Sequence, residues 1–137
     1  MSQVSLLLRS EQARGVLDPQ AFAMCIDAAF KASQACMACS DICFAVEDAR
    51  LLIKCVRLNG DCADLCVATG WMLSREPHPD PVAMQTQIEA CVRACQETAA
   101  ECERLGTLYP HTKLCAAACK RCVAACLDAL RLLCRRR

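Results

Sequence analysis

Fifteen cysteines stand in a chain of 137 residues. Nearly all of them recur at helical spacing. They fall into four groups: Cys25, Cys36, Cys39 and Cys43; then Cys55, Cys62 and Cys66; then Cys91, Cys95 and Cys102; then Cys115, Cys119, Cys122 and Cys126. Within each group the steps are 3, 4, 7 or 11 residues. At about 100° per residue such steps return to one face of an α-helix. With Cys25 as origin, Cys36, Cys39 and Cys43 lie at about +20°, −40° and 0° on an ideal helix. Each of four helices therefore carries a stripe of thiols. Burying four stripes together predicts an all-α fold, an antiparallel four-helix bundle with sulfur at its centre. Cys134 sits about 80° from Cys126 on the same scale and leaves the row.

The breaks between groups set the expected organisation. Residues 1–17 read as a short N-terminal arm. Asp18-Pro19 signals a helix start, with Asp18 as cap and Pro19 in the first turn. Helices are predicted at about 18–46, 48–74, 80–105 and 110–135, so that residues 18–137 make up the bundle. Glu47-Asp48 offers the cap for the second helix. Pro77-His78-Pro79-Asp80-Pro81 is the clearest break and joins two helical hairpins. The third helix is expected to stop at Gly106. Gly60, inside the second, costs about 1 kcal/mol against Ala, and a close backbone approach or a bulky neighbour would account for it.

Composition narrows the functional classes. The formal charge is +1, which leaves no electrostatic footprint for nucleic acid. Arg135-Arg136-Arg137 reads as a solvated helix end favoured by the macrodipole. No charge-free run of about 18 apolar residues is present to span a membrane. Val4 to Leu8 is too short for a signal sequence core. These features predict a cytoplasmic chain, where thiols stay reduced and a heavy cysteine load points to metal rather than disulfides. The odd number of cysteines points the same way.

Thiols at i and i+4 have Cβ atoms about 5–6 Å apart, close enough for two sulfurs to grip one cation. Soft thiolates select Cu(I), zinc or iron–sulfur clusters. Structural zinc wants four ligands near a tetrahedron, and clusters usually take several cysteines from a loop. Long stripes on rigid helices suit a continuous column of two- and three-coordinate Cu(I) ions. A monovalent ion also matches the charge: one per thiolate neutralises a core that unpaired thiolates would make very costly. Protonated Cys is a small hydrophobe, so the bundle can fold empty and fill with many ions later.

Other polar and soft residues carry paired readings. His111 lies on the fourth stripe, one turn before Cys115. It is a ligand or gate at one mouth, or a surface histidine; its place on the stripe favours the former. Asn59 faces the second stripe and either lines the cavity or, as favoured, bonds a neighbour. Met84 reads as core filler ahead of a thioether ligand, and His78 as an exposed loop residue. Met24, Met37 and Met72 point off the stripes. Cys134 is either an outer ligand or an exposed thiol. No Cys–His pair in a pocket loop suggests a nucleophilic site, so no enzyme is predicted. The alternative to metal storage is an iron–sulfur or thiol-based redox protein.

The segments Lys54-Cys-Val-Arg-Leu-Asn-Gly-Asp-Cys-Ala-Asp-Leu-Cys66 and Cys115-Ala-Ala-Ala-Cys-Lys-Arg-Cys-Val-Ala-Ala-Cys126 resemble the bacterial copper storage proteins, in their cytosolic branch. The resemblance covers about residues 18–134. It implies a homotetramer whose protomers store many Cu(I) ions along the bundle core; a copper chaperone or a small-molecule thiol is the expected donor or acceptor. Members of that family often carry further histidines between the third and fourth helices. Here, in the stretch from Leu105 to Leu114, only His111 is present.

Overall fold

The computed structural model describes residues 19–46 and 49–135. The expected arm, the Asp18 and Glu47-Asp48 caps and the end of the arginine tail lie outside the described residues. Four α-helices follow in order: α1 Pro19–Phe44, α2 Ile53–Leu73, α3 Pro81–Leu105 and α4 His111–Arg135. A 3-10 turn, Ala49–Leu52, leads into α2. Each helix packs on two others, α1 on α2 and α4, and α3 on α2 and α4. The result is an antiparallel four-helix bundle. Among the described residues no helix is long and apolar enough to cross a membrane.

The helix ends differ from the predicted ones for local reasons. α1 stops at Phe44 rather than 46 because the chain tightens into turns there. Ala45 N–H donates to Ile42 C=O at 3.0 Å, and Val46 N–H to Cys43 C=O at 3.3 Å. α2 begins at Ile53 rather than 48. Leu52 is wholly buried while Leu51 and Ile53 are exposed, so the 3-10 turn drives one apolar anchor into the core before the helix proper starts. α3 opens as expected of an Asp-Pro pair: the Asp80 carboxylate accepts from Ala83 N–H at 3.1 Å, and Pro81 takes the first position. At the start of α4 the Thr112 hydroxyl lies 2.7 Å from Cys102 C=O. That contact ties the helix to α3 across the connection.

The interior has few large side chains. Phe22, Ile26, Leu73, Met84, Ile88 and Leu133 are buried, and cysteine and alanine fill much of the rest. Met24 and Met37 are exposed, whereas Met72 is partly buried against the core. His78 corrects an expectation: it is half-buried, and its ring meets Phe22 edge-on at 5.4 Å. The Pro-rich connection therefore leans onto α1 instead of standing in solvent.

The two glycines of α2 also separate. Gly60 is exposed and a Cβ there would meet nothing within 4 Å, so neither a close approach nor a bulky neighbour accounts for it. Gly70 is the position where the chain needs the missing side chain. A Cβ on Gly70 would stand 2.7 Å from the Phe30 ring, which itself packs edge-on against Trp71 at 5.5 Å. Gly70→Ala is expected to force Phe30 aside and cost about 1–3 kcal/mol. Gly60→Ala is expected to stabilise by about 0.5–1 kcal/mol. Denaturant unfolding of both variants under reducing conditions checks the pair; equal effects at the two sites would contradict the packing described.

Candidate metal centre

The four inward stripes bring fourteen thiols to the bundle axis, and all fourteen are buried and unpaired by disulfide. Cys134 alone is exposed, on the outer side of α4. At one end of the row, Cys25 Sγ lies 3.5 Å from Cys126 Sγ. Cys126 meets Cys122 at 3.8 Å, and Cys122 meets Cys91 at 4.0 Å. Cys66 stands 3.7 Å from Cys91 and 3.6 Å from Cys95. Cys62 continues the row, 3.8 Å from Cys66 and 3.6 Å from Cys95. Beyond it Cys36 contacts both Cys119, at 3.8 Å, and Cys115, at 3.7 Å. Cys55 and Cys102 approach to 3.8 Å. The far end closes with Cys43 Sγ at 3.3 Å from His111 Nε2.

Five groups of side chains have ligand atoms mutually within 4.8 Å: Cys66, Cys91, Cys95 and Cys122; Cys36, Cys115 and Cys119; Cys62, Cys95 and Cys119; Cys39, Cys55 and Cys102; and Cys39, Cys43 and His111. Cys95 and Cys119 join three of these groups into one run, and Cys39 joins the other two into a second run at the His111 end. Taking the zinc–thiolate length of about 2.3 Å as a gauge, three sulfurs in a plane around one ion stand about 4.0 Å apart and two opposed sulfurs about 4.6 Å. Contacts of 3.5–4.0 Å along the row therefore need little opening to admit a small soft ion.

Among the described residues Asn59 is the one wholly buried side-chain amide. Its Nδ2 donates to Cys55 Sγ at 3.5 Å, and its Oδ1 accepts from the Cys115 thiol at 3.3 Å. The neighbour-bonding reading of this residue thus becomes specific: one amide joins the Cys55 group to the Cys115 group. The sequence placed Asn59 on the right face but held no sign of its partner on α4. Met84 is buried among apolar residues. The Thr112 tie to α3 had no signal beyond a hydroxyl in the first turn of a helix.

Protons are distributed unevenly in this row. The S–H of Cys115 beside Cys119 holds that thiol down at about 6, and Cys126 beside Cys122 does the same at about 5. Their partners move the other way. Cys36, Cys95 and Cys126 are driven strongly upward because each keeps a proton for a neighbouring sulfur, with burial adding to the effect. Cys43, at the end of the row, is pushed up to about 11 by burial and by the charge of Cys39. A few sulfurs accept and most donate, because adjacent thiolates repel at this spacing. A cation entering the row must displace protons from it.

Asn59→Ala is expected to leave Cys55 and Cys115 short of a partner beside a small void. It should destabilise the metal-free protein by about 1–3 kcal/mol. Urea unfolding of the reduced apo-protein reads this; an unchanged midpoint would mean that the amide is dispensable to the packing.

Comparison with known proteins follows the same lines. A protein-family model described as copper storage protein matches residues 18–131. The copper storage protein Ccsp of Streptomyces lividans, solved loaded with 10 copper equivalents, is 37% identical. That match covers 94% of this chain and 98% of the other, with a TM-score of 0.88. A structure of a cytosolic copper storage protein from Streptomyces lividans with five coppers is 37% identical over 82% of this chain and 93% of the other, with a TM-score of 0.80. No curated protein matches significantly.

Proposed function

Because the chain belongs to the copper storage protein family, we propose that the fourteen core thiols are the ligands through which it stores copper, as Cu(I). They are Cys25, Cys36, Cys39, Cys43, Cys55, Cys62, Cys66, Cys91, Cys95, Cys102, Cys115, Cys119, Cys122 and Cys126. The observation that carries this reading is the row itself, in which groups of thiols within 4.8 Å share members in two runs that meet at the Asn59 amide. Shared sulfurs permit bridging. Bridging raises capacity toward one ion per core thiol, which isolated four-ligand sites could not reach. Soft sulfur donors with no carboxylate among them favour a soft monovalent ion.

His111 takes the role of a gate. It is half-buried, it contacts Cys43, and Cys39 completes a group with them at the bundle end. A neutral imidazole there can accept an arriving ion and pass it to the first thiols. Uptake, retention and release require ligand exchange alone, so the proposed role is non-enzymatic. The Streptomyces lividans relative is a cytosolic protein, and the same compartment is proposed here. A homotetramer, implied by the resemblance, is the proposed assembly. A copper chaperone or a small thiol is the proposed exchange partner.

Anaerobic titration of the fully reduced protein with Cu(I), against a coloured Cu(I) chelator, tests the reading. Uptake should approach one ion per core thiol; arrest at one or two ions, or iron and visible absorption on isolation, would sink it. Loading should release protons, though fewer than one per ion, since Cys119 and Cys122 are held low while most of the row is protonated beforehand. Affinity should accordingly fall as pH falls, which titration at several pH values reads. His111→Ala should slow loading and scarcely reduce capacity. A large loss of capacity at an unchanged rate would contradict the gate.

A further inference from the structure

The thiol row is not sealed equally on all sides. Between α1 and α4 lies a groove of about 560 Å³, a size that suits a small ligand. Its floor includes Cys39 and Cys115, and its edge reaches His111. The walls are low because small residues, Ala35, Ala38 and Ala117 among them, face it. Lys31 and Arg121 stand at the rim, and no carboxylate lines the groove. Among the described residues neither cation is ion-paired. The same two cations also border the next stretch of this helix pair, which Asp27 and Asp128 line and where Asp128 is engaged by Arg131 at 2.9 Å.

The two floor thiols belong to different parts of the row. Cys39 links the His111 end to Cys55 and Cys102, while Cys115 belongs with Cys36 and Cys119. A donor seated in the groove would reach the row past its terminal site, on both sides of the Asn59 bridge. We propose that this groove docks a small carboxylate-bearing thiol and exchanges Cu(I) directly with Cys39 and Cys115. The inference rests on the copper-storage reading and names the exchange partner for it. The cations at the rim hold the carboxylates, and the alanine walls give the carrier sulfur a path to the floor. The step is ligand exchange at constant oxidation state. A bis-thiolate Cu(I) complex gives up its ion to two protein sulfurs. Two protein thiols lose their protons, and these leave on the two carrier thiols.

The test compares two Cu(I) donors under anaerobic conditions at low ionic strength. One is Cu(I) bound to glutathione, a thiol with two carboxylates; the other is Cu(I) bound to 2-mercaptoethanol, which has none. Transfer into the reduced full chain is followed by stopped flow, and final capacity by chelator titration. Lys31→Glu combined with Arg121→Glu should slow transfer from the glutathione complex about ten-fold or more. It should leave transfer from 2-mercaptoethanol within about two-fold, and salt should erase the difference. Ala38→Phe, which narrows the groove without changing charge, should also slow the glutathione reaction while capacity holds. Equal slowing for both donors, or none for either, would overturn the proposal. So would a change of oligomeric state in the charge-reversed variant, because a second copy would then occupy the groove. A wild-type chain that takes only one or two ions from either donor would refute the storage reading itself, separately from any effect of the variants.

Discussion

Everything in this bundle depends on the double character of the buried thiol. Protonated, it is a small apolar group that packs like alanine with a methyl to spare. Deprotonated, it is a soft ligand whose charge must be met at once. The first character lets four helices close on one another with no ion between them. The second makes the same interior a store. A carboxylate or imidazole core would not allow this, because those groups demand partners in the empty state. Here the empty state satisfies itself with weak S–H contacts of 3.5–4.0 Å, and few of them are strong enough to resist replacement by metal. Stability of the loaded protein then follows by mass action on a fold that already exists.

Because thiol contacts are weak and unspecific, something else must set how far each helix slides along its neighbour. Polar ties between helices do this along the bundle, among them Gln87 Nε2 of α3, which donates to the Thr69 hydroxyl of α2 at 3.0 Å. Asn59 spans from α2 to α4 through Cys115. Thr112 anchors the start of α4 to the Cys102 carbonyl on α3. The Thr98 hydroxyl reaches Leu58 C=O on α2 at 3.2 Å. Asn59, Thr98 and Thr112 are themselves buried, where an unmade bond is costly, so a register slip of one turn would orphan them. At the opposite end the lock is steric: Phe30 seats on Gly70. Four alanine-lined helices would otherwise have several nearly equal packings.

This division explains what was legible in the residues alone. Period and spacing report direction, so the inward placement of fourteen thiols and the departure of Cys134 from the row could be read from the steps between cysteines, while its exposure could not. The break at Pro77–Pro81 was local and equally readable. Axial registry is not local. Nothing in the run from Cys55 to Cys66 shows that Asn59 meets Cys115, or that Cys39 is shared between two groups of ligands. Gly60 drew attention because glycine in a helix is unfavourable, yet Gly70, one helical stretch later, is the one that a neighbour requires. The exposed reading of His78 failed for the same reason: a loop histidine surrounded by prolines gives no sign of Phe22, which comes from another helix.

The two ends and the flank of the row place retention and exchange in different parts of one core. Around Cys25 and Cys126 the bundle is filled by buried apolar side chains such as Phe22, Ile26 and Leu133, and neither thiol belongs to one of the five groups. At the other end His111 is half-buried and Cys39 and Cys115 reach a groove. Within each run of linked thiols the next sulfur lies near the last, so bridging would keep a moving ion bonded throughout. No step requires a bare cation in a low-dielectric interior, where the desolvation cost would be prohibitive. Depth along the row, rather than the strength of any single site, then governs how long an ion is held. A column of like ligands with one accessible portion can fill and empty without unfolding.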